Sequence, residues 1–121
     1  MKKVLLIEDD ATLLKVLEII FKQQGFDIAM AKDGKEGIAM AEQQKYDLIV
    51  TDLMMPYANG LEVVDRVKRN FETKDTPIIV LTAVTTQASE LESVKMGVAA
   101  YLRKPVIPKE LIALALKLTS K

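Results

Sequence analysis

The sequence predicts an α/β fold, a doubly wound parallel sheet of five strands in the order 2-1-3-4-5 with five helices. Three observations support this prediction. Short apolar runs without polar alternation are typical of strands buried on both faces. Segments with helical period lie between these runs, separated from them by Gly, Pro, Asn or Asp. Strand and helix therefore alternate five times, and right-handed crossovers then place helices on both faces of a parallel sheet.

The five predicted strands are short and mostly apolar. In chain order they are Val4 to Ile7, Ile28 to Ala31, Leu48 to Val50, Ile78 to Leu81 and Ala99 to Leu102. In a sheet of this order the winding reverses between the first and third strands, and ligands bind beside that reversal at the carboxyl ends of the strands. Functional residues are therefore expected directly after the strands.

The first predicted helix carries an apolar stripe at i, i+3 and i+4 spacing. The stripe consists of Leu13, Leu14, Leu17, Ile20 and Phe21. Gly25 is expected to end this helix. The other predicted helices are Lys35 to Gln43, Leu61 to Arg69, Ala88 to Met96 and Lys109 to Leu118. Because the chain has 121 residues and no internal repeat, low-complexity tract or linker, residues 1–121 are expected to form one domain.

The composition excludes several classes of site. The chain has no cysteine and no histidine, which rules out disulfides, thiolate zinc sites, thiol nucleophiles and a phosphohistidine of its own. The 17 basic residues balance 17 acidic ones without a basic stripe, so direct nucleic-acid binding is not expected. No apolar run approaches the roughly 20 residues of a membrane span, and Val4 to Ile7 is too short for a signal peptide. We expect a cytoplasmic protein without membrane insertion.

Acidic residues follow both strands that border the reversal. Glu8-Asp9-Asp10 comes directly after the first strand, and Asp52 follows the third. Crowded carboxylates repel one another, and uncompensated burial raises their pKa, whereas a divalent cation turns them into an oxygen-rich site. The predicted cation is Mg²⁺. Asp10 or Thr12 has a simpler interpretation, as a cap at the amino terminus of the first helix.

A hydroxyl and an ammonium are predicted at the same rim of the sheet. Thr82 ends the fourth strand, and Lys104 follows the fifth. Taken alone, a Thr at a strand end is usually a turn residue, and a Lys before Pro is usually a solvated charge. With the carboxylates they form a complete set for handling a phosphoryl group. Asp52 is then the nucleophile, the cation and Lys104 neutralise oxygens, and Thr82 donates a hydrogen bond.

Four segments of the chain carry a family resemblance. They are residues 5–10 (LLIEDD), 47–56 (DLIVTDLMMP), 77–83 (PIIVLTA) and 97–105 (GVAAYLRKP). Over essentially its whole length the chain resembles a receiver domain of the two-component response-regulator family. The resemblance implies a phosphorelay switch: a histidine kinase or phosphotransfer protein phosphorylates Asp52, and a downstream protein target reads the surface of the fourth helix, fifth strand and fifth helix. It implies no enzyme activity beyond self-phosphorylation and self-dephosphorylation.

The resemblance also implies a set of metal ligands. Asp9 and Asp52 are the implied direct carboxylate ligands of Mg²⁺, and the Met54 backbone carbonyl is a third ligand. Glu8 is expected to act through water, while Asp10 falls outside the acidic pair. Mn²⁺ is an expected substitute for Mg²⁺. No other cofactor is expected.

Two further features of the family concern its switch. Thr82 is expected to be drawn toward the phosphoryl group while Tyr101 turns inward behind it, although Tyr101 could simply be a half-buried aromatic of the strand. The Lys104-Pro105 peptide is implied to be cis. Pro56 and Asn59-Gly60 suit the turn after the third strand.

The chain also departs from the family pattern. Ala99-Ala100 replaces acidic residues found in receivers that dimerise to bind DNA, so we expect a monomer or weak dimer. Met54 and Val84 flank the implied path of water to the phosphoryl group. Because neither offers a strong hydrogen bond to orient that water, we predict a long-lived phosphoryl form. Alternatively, both residues only pack against adjacent loops.

Three other classes of protein match parts of this pattern. A haloacid-dehalogenase-type phosphatase needs a second acid two residues after Asp52, where this chain has Met54. A flavodoxin-like cofactor carrier shares the predicted flavodoxin-like topology, but Glu8-Asp9-Asp10 would repel its phosphate. A degenerate receiver could serve only as a docking module, yet every position that such a module tends to lose is filled here.

Overall fold

Five parallel strands form one sheet in the order β2-β1-β3-β4-β5 in the computed structural model, which describes residues 1–55, 58–83 and 87–120. The strands are β1 (Lys3–Ile7), β2 (Asp27–Ala31), β3 (Leu48–Asp52), β4 (Ile78–Thr82) and β5 (Ala100–Arg103). The helices are α1 (Ala11–Gln23), α2 (Gly34–Gln43), α3 (Gly60–Arg69), α4 (Gln87–Lys95) and α5 (Pro108–Thr119). The predicted fold class and strand order are confirmed, and the elements begin and end within two residues of the predicted positions.

The sheet sends its side chains alternately into two core clusters, one on each face. In β1, Leu5 and Ile7 join the first cluster, and Val4 and Leu6 join the second. Helices α2 and α3 cover the first cluster with Ile38, Ala41, Val63, Val64 and Val67. Helices α1 and α5 cover the second with Leu17, Ile20, Phe21, Leu111 and Ala115. Because both faces are covered, the strands contain the continuous apolar runs from which they were predicted.

The ends of α1 follow from local chemistry. The Asp10 carboxylate accepts hydrogen bonds from the backbone N–H groups of Thr12 at 2.9 Å and Leu13 at 3.2 Å, so Asp10 and not Thr12 is the N-cap. Gly25 follows the helix with φ of 83°, a left-handed conformation that glycine adopts without strain. The cap confirms the simpler interpretation of Asp10 and leaves Glu8 and Asp9 for the site.

Among the described residues, no helix is both long enough and apolar enough to cross a bilayer.

Candidate functional site

The acidic segments after β1 and β3 lie together because these strands are neighbours in the sheet. Ile7 pairs with Thr51, so Glu8, directly after β1, and Asp52, at the end of β3, come next along the two adjacent strands. Carboxylate oxygens of Glu8, Asp9 and Asp52 lie within 4.8 Å of one another. Glu8 and Asp52 are buried, with 1% and 5% of their surface exposed, whereas Asp9 is exposed. These three residues form the acidic cluster at the carboxyl edge of the sheet.

Lys104 bridges the two buried carboxylates of the acidic cluster. Its Nζ atom lies 2.7 Å from Oε1 of Glu8 and 3.0 Å from Oδ2 of Asp52. The other oxygen of Glu8 accepts a hydrogen bond from the backbone N–H of Asp9 at 3.0 Å. The backbone N–H of Lys104 donates to the Thr82 carbonyl at 2.8 Å, which continues the β4–β5 pairing to the rim. The lysine that was predicted from its place before a proline is therefore not a freely solvated charge.

Burial and close charged neighbours shift the pKa values of Glu8 and Lys104. Burial, and after it the neighbouring Asp52 carboxylate, raise the pKa of Glu8 to about 7 against the opposing effect of Lys104. Burial also lowers the pKa of Lys104, but the hydrogen bonds to Glu8 and Asp52 outweigh it, and the pKa of Lys104 lies above its ordinary value. The Lys104 ammonium thus does not fully compensate the burial of the Glu8 carboxylate.

The donor set of the acidic cluster fits a hard divalent cation. Three carboxylates offer oxygen atoms close enough together to share one ion, and Mg²⁺ prefers oxygen ligands. A divalent charge would also relieve the repulsion that helps to raise the pKa of Glu8. The residues present are therefore able to hold Mg²⁺.

Thr82 at the end of β4 and Tyr101 on β5 lie on paired strands, and their side chains influence each other. Burial and the charge of Glu90 raise the pKa of Tyr101, while the charge of Arg103 and the Thr82 side chain lower it. Thr82 ends β4 at the predicted rim of the sheet, but its side chain is fully buried there and not exposed to solvent. Glu90, an exposed residue in the first turn of α4, was not predicted to act near Tyr101. No local signal distinguishes it from other surface acids.

The other predicted positions lie in the segments that follow β3, β4 and β5. The Met54 side chain is 61% exposed just after β3. The Lys104-Pro105 peptide is cis, as expected. Asn59 accepts a hydrogen bond from the Glu62 backbone N–H at 3.0 Å and caps α3, which agrees with the predicted turn. The predictions for Pro56 and Val84 lie outside the described residues.

Comparison with known proteins points to one family. A family model for the response regulator receiver domain matches residues 4–116. The response regulator ArlR of Staphylococcus saprophyticus is 34% identical over 113 residues, which cover 93% of this chain and 50% of ArlR. The chain spans about half the length of the curated relatives that it matches.

Solved structures agree with the family match. The receiver domain of Francisella response regulator 1452 is 33% identical with a TM-score of 0.90, and the alignment covers 98% of this chain and 97% of that one. The receiver domain of the sensor histidine kinase PA1611 from Pseudomonas aeruginosa PAO1, with a magnesium ion coordinated in its active site cleft, is 27% identical with a TM-score of 0.90, covering 99% and 98%. This chain therefore belongs to the receiver domains of response regulators, the phosphorylation-controlled switches of two-component signalling.

Proposed function

We propose that Asp52 accepts the phosphoryl group of a phosphorelay. The observation that carries this proposal is the bridge from Lys104 to Asp52 and Glu8. It holds the Lys104 ammonium beside the buried Asp52 carboxylate at the end of β3. Asp52 shares this place with Glu8 and Asp9, whose oxygens add the negative charge that a divalent cation needs for binding. Receiver domains bind Mg²⁺ at this acidic site, and the Mg²⁺-bound relative PA1611 has the same fold.

The proposed reaction transfers a phosphoryl group from the phosphohistidine of a kinase or phosphotransfer protein. A carboxylate oxygen of Asp52 forms the new bond to phosphorus while the bond from phosphorus to the imidazole nitrogen breaks and the imidazole leaves with that electron pair. Lys104, 3.0 Å from Asp52, is placed to neutralise phosphoryl oxygens as charge shifts among them. Hydrolysis of the acyl phosphate by water later regenerates the free carboxylate.

The proposed ligands of Mg²⁺ are Asp9, Asp52 and the Met54 backbone carbonyl, with Glu8 acting through water. When bound, the cation supplies positive charge for the oxygens of the transferring group. Glu8 has a second task, because its oxygens fix the Lys104 ammonium and the Asp9 backbone N–H. We propose that Mn²⁺ can replace Mg²⁺, since both accept oxygen ligands.

The switch is proposed to run through Thr82 and Tyr101. Their side chains influence each other across the paired strands β4 and β5, so a Thr82 hydroxyl that turns to a phosphoryl oxygen would change the surroundings of the Tyr101 side chain. The downstream protein target would read this change on α4, β5 and α5. Response regulators act between histidine kinases and such targets.

Further parts of this proposal concern the extent of the domain, its oligomeric state, its reactions and its partners. We propose that residues 1–121 form one switch domain, a monomer or weak dimer, with no enzymatic reaction beyond its own phosphorylation and dephosphorylation. We also propose that this domain contacts no nucleic acid directly. DNA binding by relatives such as RpaA of Synechocystis is a property of those longer proteins. The cytoplasmic location stays a prediction.

Mass spectrometry of the protein treated with a small phosphodonor tests the proposed function. With Mg²⁺ present, the wild type should gain the mass of one phosphoryl group, and Asp52→Asn should gain none. Asp47→Asn is a matched control, because Asp47 also lies beside β3 but at its amino end, where it accepts a hydrogen bond from the Lys3 backbone N–H. Equal labelling of the wild type and Asp52→Asn would show that another residue is the acceptor.

A further inference from the structure

Two glycines allow close backbone contacts with the end of β3 and the chain after it. Gly34 begins α2, and Gly60 begins α3. A Cβ atom at Gly34 would overlap the carbonyl oxygen of Ala58 and lie 2.6 Å from its carbonyl carbon. A Cβ atom at Gly60 would overlap the carbonyl oxygen of Asp52 and lie 2.9 Å from the Cα of Leu53. At both points the neighbour is backbone and not a flexible side chain, so a larger residue would force the backbone to move.

The chain around Met54 is anchored in the fold at Leu53, directly before it, and at Ala58, four residues after it. The Leu53 backbone N–H donates to the Leu81 carbonyl at 3.0 Å, and the Leu53 carbonyl accepts from the Gly60 N–H at 2.8 Å. Leu53 and Ala58 are both buried in the core, with 3% and 7% of their surface exposed. Met54 itself is exposed. Its backbone position therefore depends on the anchors before and after it.

The surface that Ala58 contacts is a helix end held by reciprocal hydrogen bonds. The Asp33 carboxylate accepts from the Glu36 backbone N–H at 2.8 Å, and the Glu36 carboxylate accepts from the Lys32 backbone N–H at 3.1 Å. Such paired bonds fix the first turn of a helix. Gly34 lies within this turn and is buried, so the Ala58 backbone packs against a helix turn whose conformation is fixed.

From these contacts we infer that Gly34 is a positioning residue for the Mg²⁺ site. Its lack of a side chain lets the Ala58 backbone pack against the start of α2, and this contact holds the Met54 carbonyl in place. The inference rests on the proposed function, in which this carbonyl is a ligand. Metal ligands depend on supporting contacts, and a site whose ligand atoms are displaced by about an ångström binds its metal ion poorly. Gly34 acts here through Ala58 and not by touching the cation.

An NMR titration of backbone amides with Mg²⁺ tests this role in Gly34→Ala. We expect the dissociation constant to rise roughly tenfold, the lower end of the effects seen when support of a metal ligand is removed. Gly25→Ala is the control, because Gly25 has φ of 83° and an added Cβ would have no atom within 4 Å. That variant introduces backbone strain near the amino ends of the strands, and its Mg²⁺ affinity should equal that of the wild type. Urea unfolding of both variants gives their stabilities.

The outcomes separate this inference from the proposed function. Affinity within about twofold of the wild type in Gly34→Ala overturns the inference, and so does equal weakening in the Gly25 control. A wild type that binds no Mg²⁺ overturns the proposed function instead. If Gly34→Ala does not fold, Ala58→Gly takes its place: it adds backbone freedom without a clash and should weaken Mg²⁺ binding about threefold. Unchanged affinity in Ala58→Gly then overturns the inference.

Discussion

Replacing Glu8 by Gln should stabilise the metal-free protein, with a gain that grows as the pH rises. Glu8 is 1% exposed and close to the Asp52 carboxylate, so its charged form is poorly solvated and repelled. Gln keeps the shape and can still accept the hydrogen bond from Lys104, but it carries no charge. The substitution therefore removes a cost that ionisation of Glu8 imposes on the folded state.

The pKa of Glu8 determines the size and sign of this effect. It is about 7 in the folded protein against an ordinary value of 4.5. Between these values the folded state binds more protons than the unfolded state, so the free energy of unfolding of the wild type falls as pH rises through this window. The full difference corresponds to about 3 kcal/mol. Glu8→Gln should therefore be more stable than the wild type by about 1 kcal/mol near pH 5 and about 3 kcal/mol near pH 8.

Urea unfolding with a chelator at several pH values from about 5 to about 8 measures this difference. Glu18→Gln is a suitable control, because a hydrogen bond from Lys15 at 2.9 Å lowers the pKa of Glu18, and removing that carboxylate should give no gain that grows with pH. Added Mg²⁺ should reverse the order by stabilising the wild type more than Glu8→Gln. A difference that stays constant with pH, or a variant that is less stable at every pH without metal, would refute the reasoning.

Three further predictions concern the cation, the switch and the lifetime of the phosphoryl group. Asp9→Ala should lose the Mg²⁺ binding that calorimetry detects for the wild type, and unchanged affinity would contradict its role as a direct ligand. Lys104→Ala and Thr82→Ala should keep the fold and some labelling by a phosphodonor, with Thr82→Ala losing about 1 kcal/mol of stability because a buried hydroxyl is removed. Both should lose phosphorylation-dependent partner capture in a pull-down, and normal capture by Thr82→Ala would mean that the switch is wrong. Met54→Asn combined with Val84→Glu should lose its phosphoryl group several times faster than the wild type under saturating Mg²⁺, because polar side chains can orient the attacking water. Equal rates of loss would show that these two positions do not set the lifetime.

The element order could be predicted because its causes are local. An apolar run such as Val4 to Ile7 has no polar side chain on either face of a strand, so burial of both faces is favourable. The spacing of Leu17 and Phe21 defines one side of a helix. Asp10 could be identified as a cap because its carboxylate bonds to N–H groups only two and three residues away. The parallel order then places the residues that follow each strand on one edge, which is why the acidic segments were expected to meet.

The properties of the site depended on packing between distant segments. The bridge from Lys104 to Glu8 and Asp52 joins three strand ends, and the raised pKa of Glu8 follows from how completely its neighbours exclude water. No local pattern contains that information, because solvation depends on every segment that covers a group. The pattern of strands placed Thr82 at this rim, but its complete burial is a property of the folded chain alone. The sequence thus determined which chemical groups reach the edge of the sheet, while tertiary packing determined their exposure, their partners and their charge.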